Sequence, residues 1–240
     1  NLRKTPIGGD EAPDMLYQYL SPLRPFLCDP KVNEVVVNRP GELWTEGLDG
    51  WERHAVPELT FENCMQLARL VANFNKMSID VNNPSLSAEL LYHERAQFLI
   101  PPATEAGTVS ITIRQPSRVN RTLQNYKDSG QLEGWENGGA ELKPFEHELL
   151  RLKQERKTKE FLELAVQTHR NIVVAGATNS GKTTISKALI DCIPSHERII
   201  TIEDVHELFL PNNPNKIHLF YTQEDPRRPG TAFTSTHALK

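Results

Sequence analysis

Residues 171–190, NIVVAGATNSGKTTISKALI, restrict what the chain can become more than any other stretch. An apolar β-type run leads into Gly176-Ala177-Thr178-Asn179-Ser180-Gly181-Lys182-Thr183, followed by Thr184 and a helical pattern. The octet satisfies G-x-x-x-x-G-K-S/T, and its chemistry explains the residue types. Glycines let backbone N–H groups curl around a β-phosphate, and the next helix presents its positive end to the same anion. Lys182 is placed to reach β- and γ-phosphates, and the Thr183 hydroxyl to hold Mg²⁺. Asn179 stands where many such loops carry another Gly, and Asn tolerates left-handed backbone better than most residues. The expectation is a nucleoside triphosphate site on a strand–loop–helix unit, bound through Gly176 to Thr184.

The first half reads differently. Asn33–Glu46 holds two β-type runs around Pro40-Gly41, and Asp49-Gly50 marks a second turn before WERHAV. Phe61–Phe74 puts Phe61, Met65, Ala68 and Ala72 on one helical face with Thr60 as N-cap. ERAQFLI is a strand, and Thr108–Arg114 is another, with Val109, Ile111 and Ile113 alternating against Ser110, Thr112 and Arg114. From Gln115 to Lys143 the pattern weakens into a glycine-rich linker with a short helix near Thr122–Tyr126. Beyond it, Pro144 opens two helices. NIVVA, a helix over KTTISKALIDCI and the run RIITIED then alternate as in a parallel sheet covered on both faces.

Composition excludes several classes. The chain of 240 residues is 38% hydrophobic and 24% charged, with a net charge of −4, so nucleic acid is not the default partner. Cys28, Cys64 and Cys192 form no Cys-x-x-Cys pair, and the eight histidines form no His-x-x-x-His pair. That reads as a reduced cytosolic protein without disulfides or structural zinc. No apolar run approaches a membrane span, and the N-terminal stretch has no apolar core behind its charges, so any membrane association is expected to be peripheral.

Several segments together resemble the secretion-ATPase superfamily, closest to the hexameric traffic ATPases of type IV secretion and conjugation systems. They are LRPFLCDPKVNEVVVNRPGELW, PPATEAGTVSITIRQPS, KPFEHELL, the loop GATNSGKTT, the acidic box RIITIEDVHELFL and the histidine box TSTHA. The resemblance implies two domains: an N-terminal α+β domain over 1–116, a linker over 117–143, and a RecA-like α/β P-loop ATPase domain over 144–240. It implies ATP and Mg²⁺, a homo-hexamer, and partnership with inner-membrane secretion-complex ATPases and channel components. Sequence-specific nucleic-acid binding is not implied, and the expected location is peripheral at the cytoplasmic face of the inner membrane.

The resemblance also assigns catalytic roles. Lys182 binds the phosphates. Glu203 or Asp204, at the C-terminal end of a strand, polarises the attacking water or holds a Mg²⁺-bound water, with Glu203 the first choice and Glu207 in support. His237 approaches the γ-phosphate. Arg95 and Arg114 clamp the nucleotide from the N-terminal domain, a task suited to a guanidinium that stays charged and offers several donors.

The family's Walker B strand is not found between the acidic and histidine boxes, and the closing helices are absent. The ATPase domain is therefore expected to be incomplete in this chain. That leaves a motor ATPase, a different P-loop NTPase and a nucleotide-gated ring scaffold as readings. NKIH at Asn215 matches the guanine-specifying Asn-Lys-x-Asp only partly, and no Leu-Ser-Gly-Gly-Gln signature occurs.

Overall fold

The Pro40-Gly41 turn forms as expected, and the hairpins around it build a sheet. β1 (Glu34–Val37) and β2 (Glu42–Gly47) run antiparallel with Val36 opposite Trp44. The Asp49-Gly50 turn, with Gly50 at φ 97, leads into β3 (Gly50–Ala55). β4 (Ser85–Glu89), β5 (Arg95–Leu99) and β6 (Ser110–Arg114) complete an antiparallel sheet of order β3-β2-β1-β6-β5-β4. This is a computed structural model, and it describes residues 14–116, 122–132, 142–222 and 233–234.

Side-chain alternation gives the sheet two different faces. One carries Val35, Val37, Leu43, Leu86, Phe98, Ile111 and Ile113, all buried in the main core. It lies under α1 (Asp14–Leu20), α2 (Arg24–Leu27) and α3 (Phe61–Phe74). Thr60 caps α3 by accepting the Asn63 N–H at 3.2 Å. The buried stripe of α3 is Cys64, Leu67, Ala68, Val71 and Ala72, rotated from the expected one, with Phe61 and Met65 only partly covered at its margin. Burial pushes the Cys64 thiol up to about 12, so it stays protonated and unreactive.

The other face receives β7 (Ile199–Glu203) and β8 (Lys216–Phe220), paired in parallel with Thr201 opposite His218. Ile217 and Leu219 pack with Leu99 and Ala103, and the Phe220 N–H donates to the Ala103 carbonyl at 2.9 Å. Asn38 donates from Nδ2 to Asn215 Oδ1 at 2.7 Å. Arg198 donates to Thr112 Oγ1 at 3.1 Å, lies 3.6 Å from Glu34 and sits over the Trp51 ring. Burial lowers the Arg198 pKa against the pull of Glu34 and Glu46.

The chain groups into two compact units. The first is residues 1–116, 196–208 and 213–240; the second is 117–195 and 209–212. Contact thus groups β7 and β8 with the first 116 residues, whereas the sequence reading put everything from 144 onward in one domain. The second unit contains α4 (Leu123–Asp128), α5 (Pro144–Gln154), α6 (Thr158–Gln167) and α7 (Lys182–Ile190). Thr122 caps α4 in a capping box, and Pro144 is the first residue of α5. Leu152 and Ala165 are the buried side chains of α5 and α6, and Arg170 stacks on the Phe145 ring at 4.8 Å.

One expected strand is not formed. Residues 171–176 are irregular, with Val173 90% exposed, because no described strand offers its backbone to theirs. Accordingly, the parallel pairing among the described residues is confined to β7 and β8. Among those residues, no helix is long and apolar enough to cross a membrane.

Candidate functional site: a phosphate-type loop, an arginine pair and an acidic turn

The loop from Gly176 to Gly181 is shaped by two left-handed residues. Asn179 takes φ 61 and Gly181 takes φ 84, the latter as the N-cap residue of α7. Between them the chain closes a tight turn, with the Ser180 N–H donating to the Ala177 carbonyl at 3.2 Å. A Cβ at Gly176 would stand 2.5 Å from Ser180 Oγ and 3.3 Å from its Cβ, so a larger residue there would require the Ser180 side chain to turn away. Lys182 folds back over the loop, donating from Nζ to the carbonyls of Gly176 at 3.0 Å and Ala177 at 2.7 Å. Thr183 and Thr184 follow in the first turn of α7, both exposed. A loop bounded by two glycines, with an ammonium across it and a helix N-terminus behind it, suits a polyphosphate chain.

In the first unit, Arg95 and Arg114 face each other directly across β5 and β6, and Glu34 is the next residue in that row on β1. Both arginines are exposed. Two like charges directly opposite in a ladder are destabilising, and they become favourable when an anion lies between them. Burial raises the Glu34 pKa, opposed by Arg198 and Arg114.

The acidic turn closes β7. Glu203 is buried, its Oε2 accepting the N–H groups of Glu207 and Leu208, each at 2.8 Å. Its Oε1 accepts the Thr201 hydroxyl at 2.6 Å and lies 3.4 Å from His218 Nδ1. Burial alone would raise this carboxyl, but those hydrogen bonds outweigh it and hold Glu203 below the ordinary range. Asp204 beside it is exposed and accepts the Val205 N–H at 2.9 Å. Glu203 is therefore an ionised, fixed carboxylate, while Asp204 faces water. His237 lies outside the described residues.

The residues assigned from the sequence thus fall in two units. Gly176–Thr184 belong to the second, and Arg95, Arg114, Glu203 and Asp204 to the first. The sequence reading missed two histidines. His206 and His218 meet with ring centroids 4.5 Å apart, and each offers a ligand atom within 4.8 Å of one from Glu203. Sequence spacing does not reveal them, because parallel pairing sets Thr201 and His218 side by side, a proximity no short-range spacing encodes. Burial lowers the His218 pKa, with the Glu203 hydrogen bond opposing it.

Comparison with known proteins finds relatives over most of the chain. The family described as "Type II/IV secretion system protein" matches residues 143–227. The type IV secretion system protein VirB11 of Brucella suis is 49% identical over 219 residues, covering 90% of this chain and 61% of that protein. PtlH, a type IV secretion system protein of Bordetella pertussis, is 41% identical over 216 residues, covering 88% of this chain and 63% of that protein. The crystal structure of the VirB11 ATPase from the Brucella suis type IV secretion system in complex with sulphate superposes with a TM-score of 0.82 at 50% identity. It covers 86% of this chain and 64% of that one. The chain therefore spans about three fifths of the length of the curated relatives it matches.

Proposed function

We propose, from the premise that this chain belongs to the traffic ATPases of type IV secretion systems, that it binds and hydrolyses ATP to drive substrate export and pilus assembly. The observation that carries this reading is the loop at Gly176–Lys182. Its two left-handed residues, its close approach of Gly176 to Ser180 and its inward ammonium suit a β,γ-phosphate. A relative's crystal structure in complex with sulphate, an anion of similar shape, points the same way.

In this reading Gly176, Ala177, Thr178, Asn179, Ser180, Gly181 and Thr184 form the cradle. Lys182 exchanges its two carbonyl partners for phosphate oxygens, which restores full charge pairing to the ammonium. The Thr183 hydroxyl would hold Mg²⁺, with Glu203 acting on it through water; the ion, when bound, neutralises charge on the transferring phosphoryl group. Arg95 and Arg114 supply the clamp, two exposed cations whose mutual repulsion a phosphate relieves.

Glu203, with both oxygens already hydrogen-bonded and its proton affinity lowered, is suited to orienting a water by charge rather than to removing its proton. Asp204, exposed next to it, is the second carboxylate of that pair. His237 is assigned to the γ-phosphate by resemblance. The domain division 1–116, 117–143 and 144–240, a RecA-like arrangement of the last part, a homo-hexamer, secretion-complex partners and a peripheral site at the inner membrane complete the proposal.

The test is steady-state ATP hydrolysis by full-length protein beside Lys182→Ala, with oligomer mass measured in the same buffer. Slow hydrolysis by a ring, abolished in Lys182→Ala, supports the reading. A ring that binds ATP without turnover overturns the hydrolytic part.

A further inference from the structure

Glu203, His206 and His218 surround a point where β7 and β8 end together. Parallel register puts Glu203 opposite Phe220 and His218 opposite Thr201, and the bend after β7 returns His206 over the strand ends. There the His206 ring leans on both His218 and the Phe220 ring, at centroid distances of 4.5 and 5.4 Å. Glu203 and His218 are buried, whereas the His206 side chain is 30% exposed and leaves a way in from solvent.

We infer that this turn is a binding site for a zinc-class divalent ion, ligated by Glu203, His206 and His218. Two imidazoles and one carboxylate form a donor set suited to zinc and its neighbours rather than to Mg²⁺ or Ca²⁺, which take mainly oxygen. Their ligand atoms already lie within 4.8 Å of one another, so gathering them to bonding distance takes only small side-chain movements. Three protein ligands leave a fourth tetrahedral position for water. The surroundings of a metal site are also present. The Glu207 and Leu208 N–H groups fix Glu203 through Oε2, which leaves Oε1 on the His218 side. Thr201 Oγ1 contacts both Glu203 and His218, and His206 donates from Nε2 to the Leu208 carbonyl at 3.2 Å, which leaves its Nδ1 for an ion. Partners of that kind orient first ligands and raise their basicity.

This site does not depend on ATP hydrolysis, but it shares Glu203 with it. An ion held here would engage a carboxylate assigned to the nucleotide, so its arrival would slow hydrolysis.

The test uses the chelator-treated chain carrying Cys28→Ser and Cys192→Ser, so that neither accessible thiolate serves as a ligand. Co²⁺ is titrated and followed by its visible absorption, then displaced with Zn²⁺. The expected result is one Co²⁺ per chain with the strong bands of a four-coordinate site, displaced by one Zn²⁺. His206→Gln, which changes a partly exposed side chain, is expected to weaken binding at least about tenfold; His218→Gln should do the same. Absence of the bands, or equal affinity in His206→Gln, overturns the site and leaves the ATPase reading untouched. Inhibition of Mg²⁺-ATP hydrolysis by Zn²⁺ that His206→Gln escapes supports the shared use of Glu203. Equal inhibition of both proteins removes that consequence.

Discussion

Gly181→Ala isolates backbone strain from every other effect in the loop. Gly181 sits at φ 84, and a Cβ built there meets nothing within 4 Å. The substitution therefore adds no clash, only the cost of holding an L-residue in left-handed backbone, about 1–2 kcal/mol. In the free protein the loop is exposed and can relax to a negative φ, whereas nucleotide binding demands the original conformation. The strain then appears in the binding equilibrium, and the expected loss of ATP affinity is about 5–30-fold. Thermal stability should hardly change, because α7 has no buried residue to lose. Asn179→Gly is the counterpart: at φ 61 it relieves strain and should bind ATP as well as the parent or slightly better. Both are read by titrating a fluorescent ATP analogue and by thermal unfolding. Unchanged affinity in Gly181→Ala, with Asn179→Gly also unchanged, would refute the claim that this loop conformation is the one that binds.

Other outcomes follow from the same structure. Arg95→Ala or Arg114→Ala should lower kcat by about 100-fold, as loss of one transition-state donor does, and should leave the sheet's stability nearly unchanged, because each arginine faces a carboxylate, Glu89 or Glu34, as well as the other arginine; hydrolysis and denaturant unfolding together check this. Phe98→Ala, in a fully buried site on β5, should destabilise the protein by about 3–5 kcal/mol in a denaturant titration. His218 is depressed below the ordinary value of about 6.5, so the unfolded chain binds its proton first and stability should fall as pH drops below about 6.5. Glu203, also depressed, adds a second loss starting near the ordinary glutamate value of about 4.3. Thermal unfolding across pH should show both, and His218→Gln should remove the upper one.

Local chemistry made much of this legible beforehand. The Pro40-Gly41 and Asp49-Gly50 turns, the Thr60 cap, the Pro144 start and the alternation of Val109, Ile111 and Ile113 are all set by residues within one turn or one strand. The left-handed backbone at Asn179 is of the same kind. Where long-range pairing decides, the sequence misleads. NIVVA has the composition of a buried strand, yet a strand exists only where another backbone accepts it, and residues 171–176 have none among the described residues. The opposition of Arg95 to Arg114 depends on the register of β5 and β6, and the meeting of His206 with His218 on the register of β7 and β8. On α3 the period was right but the phase was not. The stripe follows Cys64, Leu67 and Val71, because the sheet beneath accepts that edge and leaves Met65 at the rim.

The central claim is that the Gly176–Thr184 loop works on ATP. The most direct measurement is phosphate release from Mg²⁺-ATP by full-length protein and by Lys182→Ala, prepared in parallel and shown to have the same fold and oligomer mass. The account requires turnover in the first and its loss in the second. Equal rates in the two proteins would contradict it, since the ammonium now lying on the Gly176 and Ala177 carbonyls would then have no part in the chemistry.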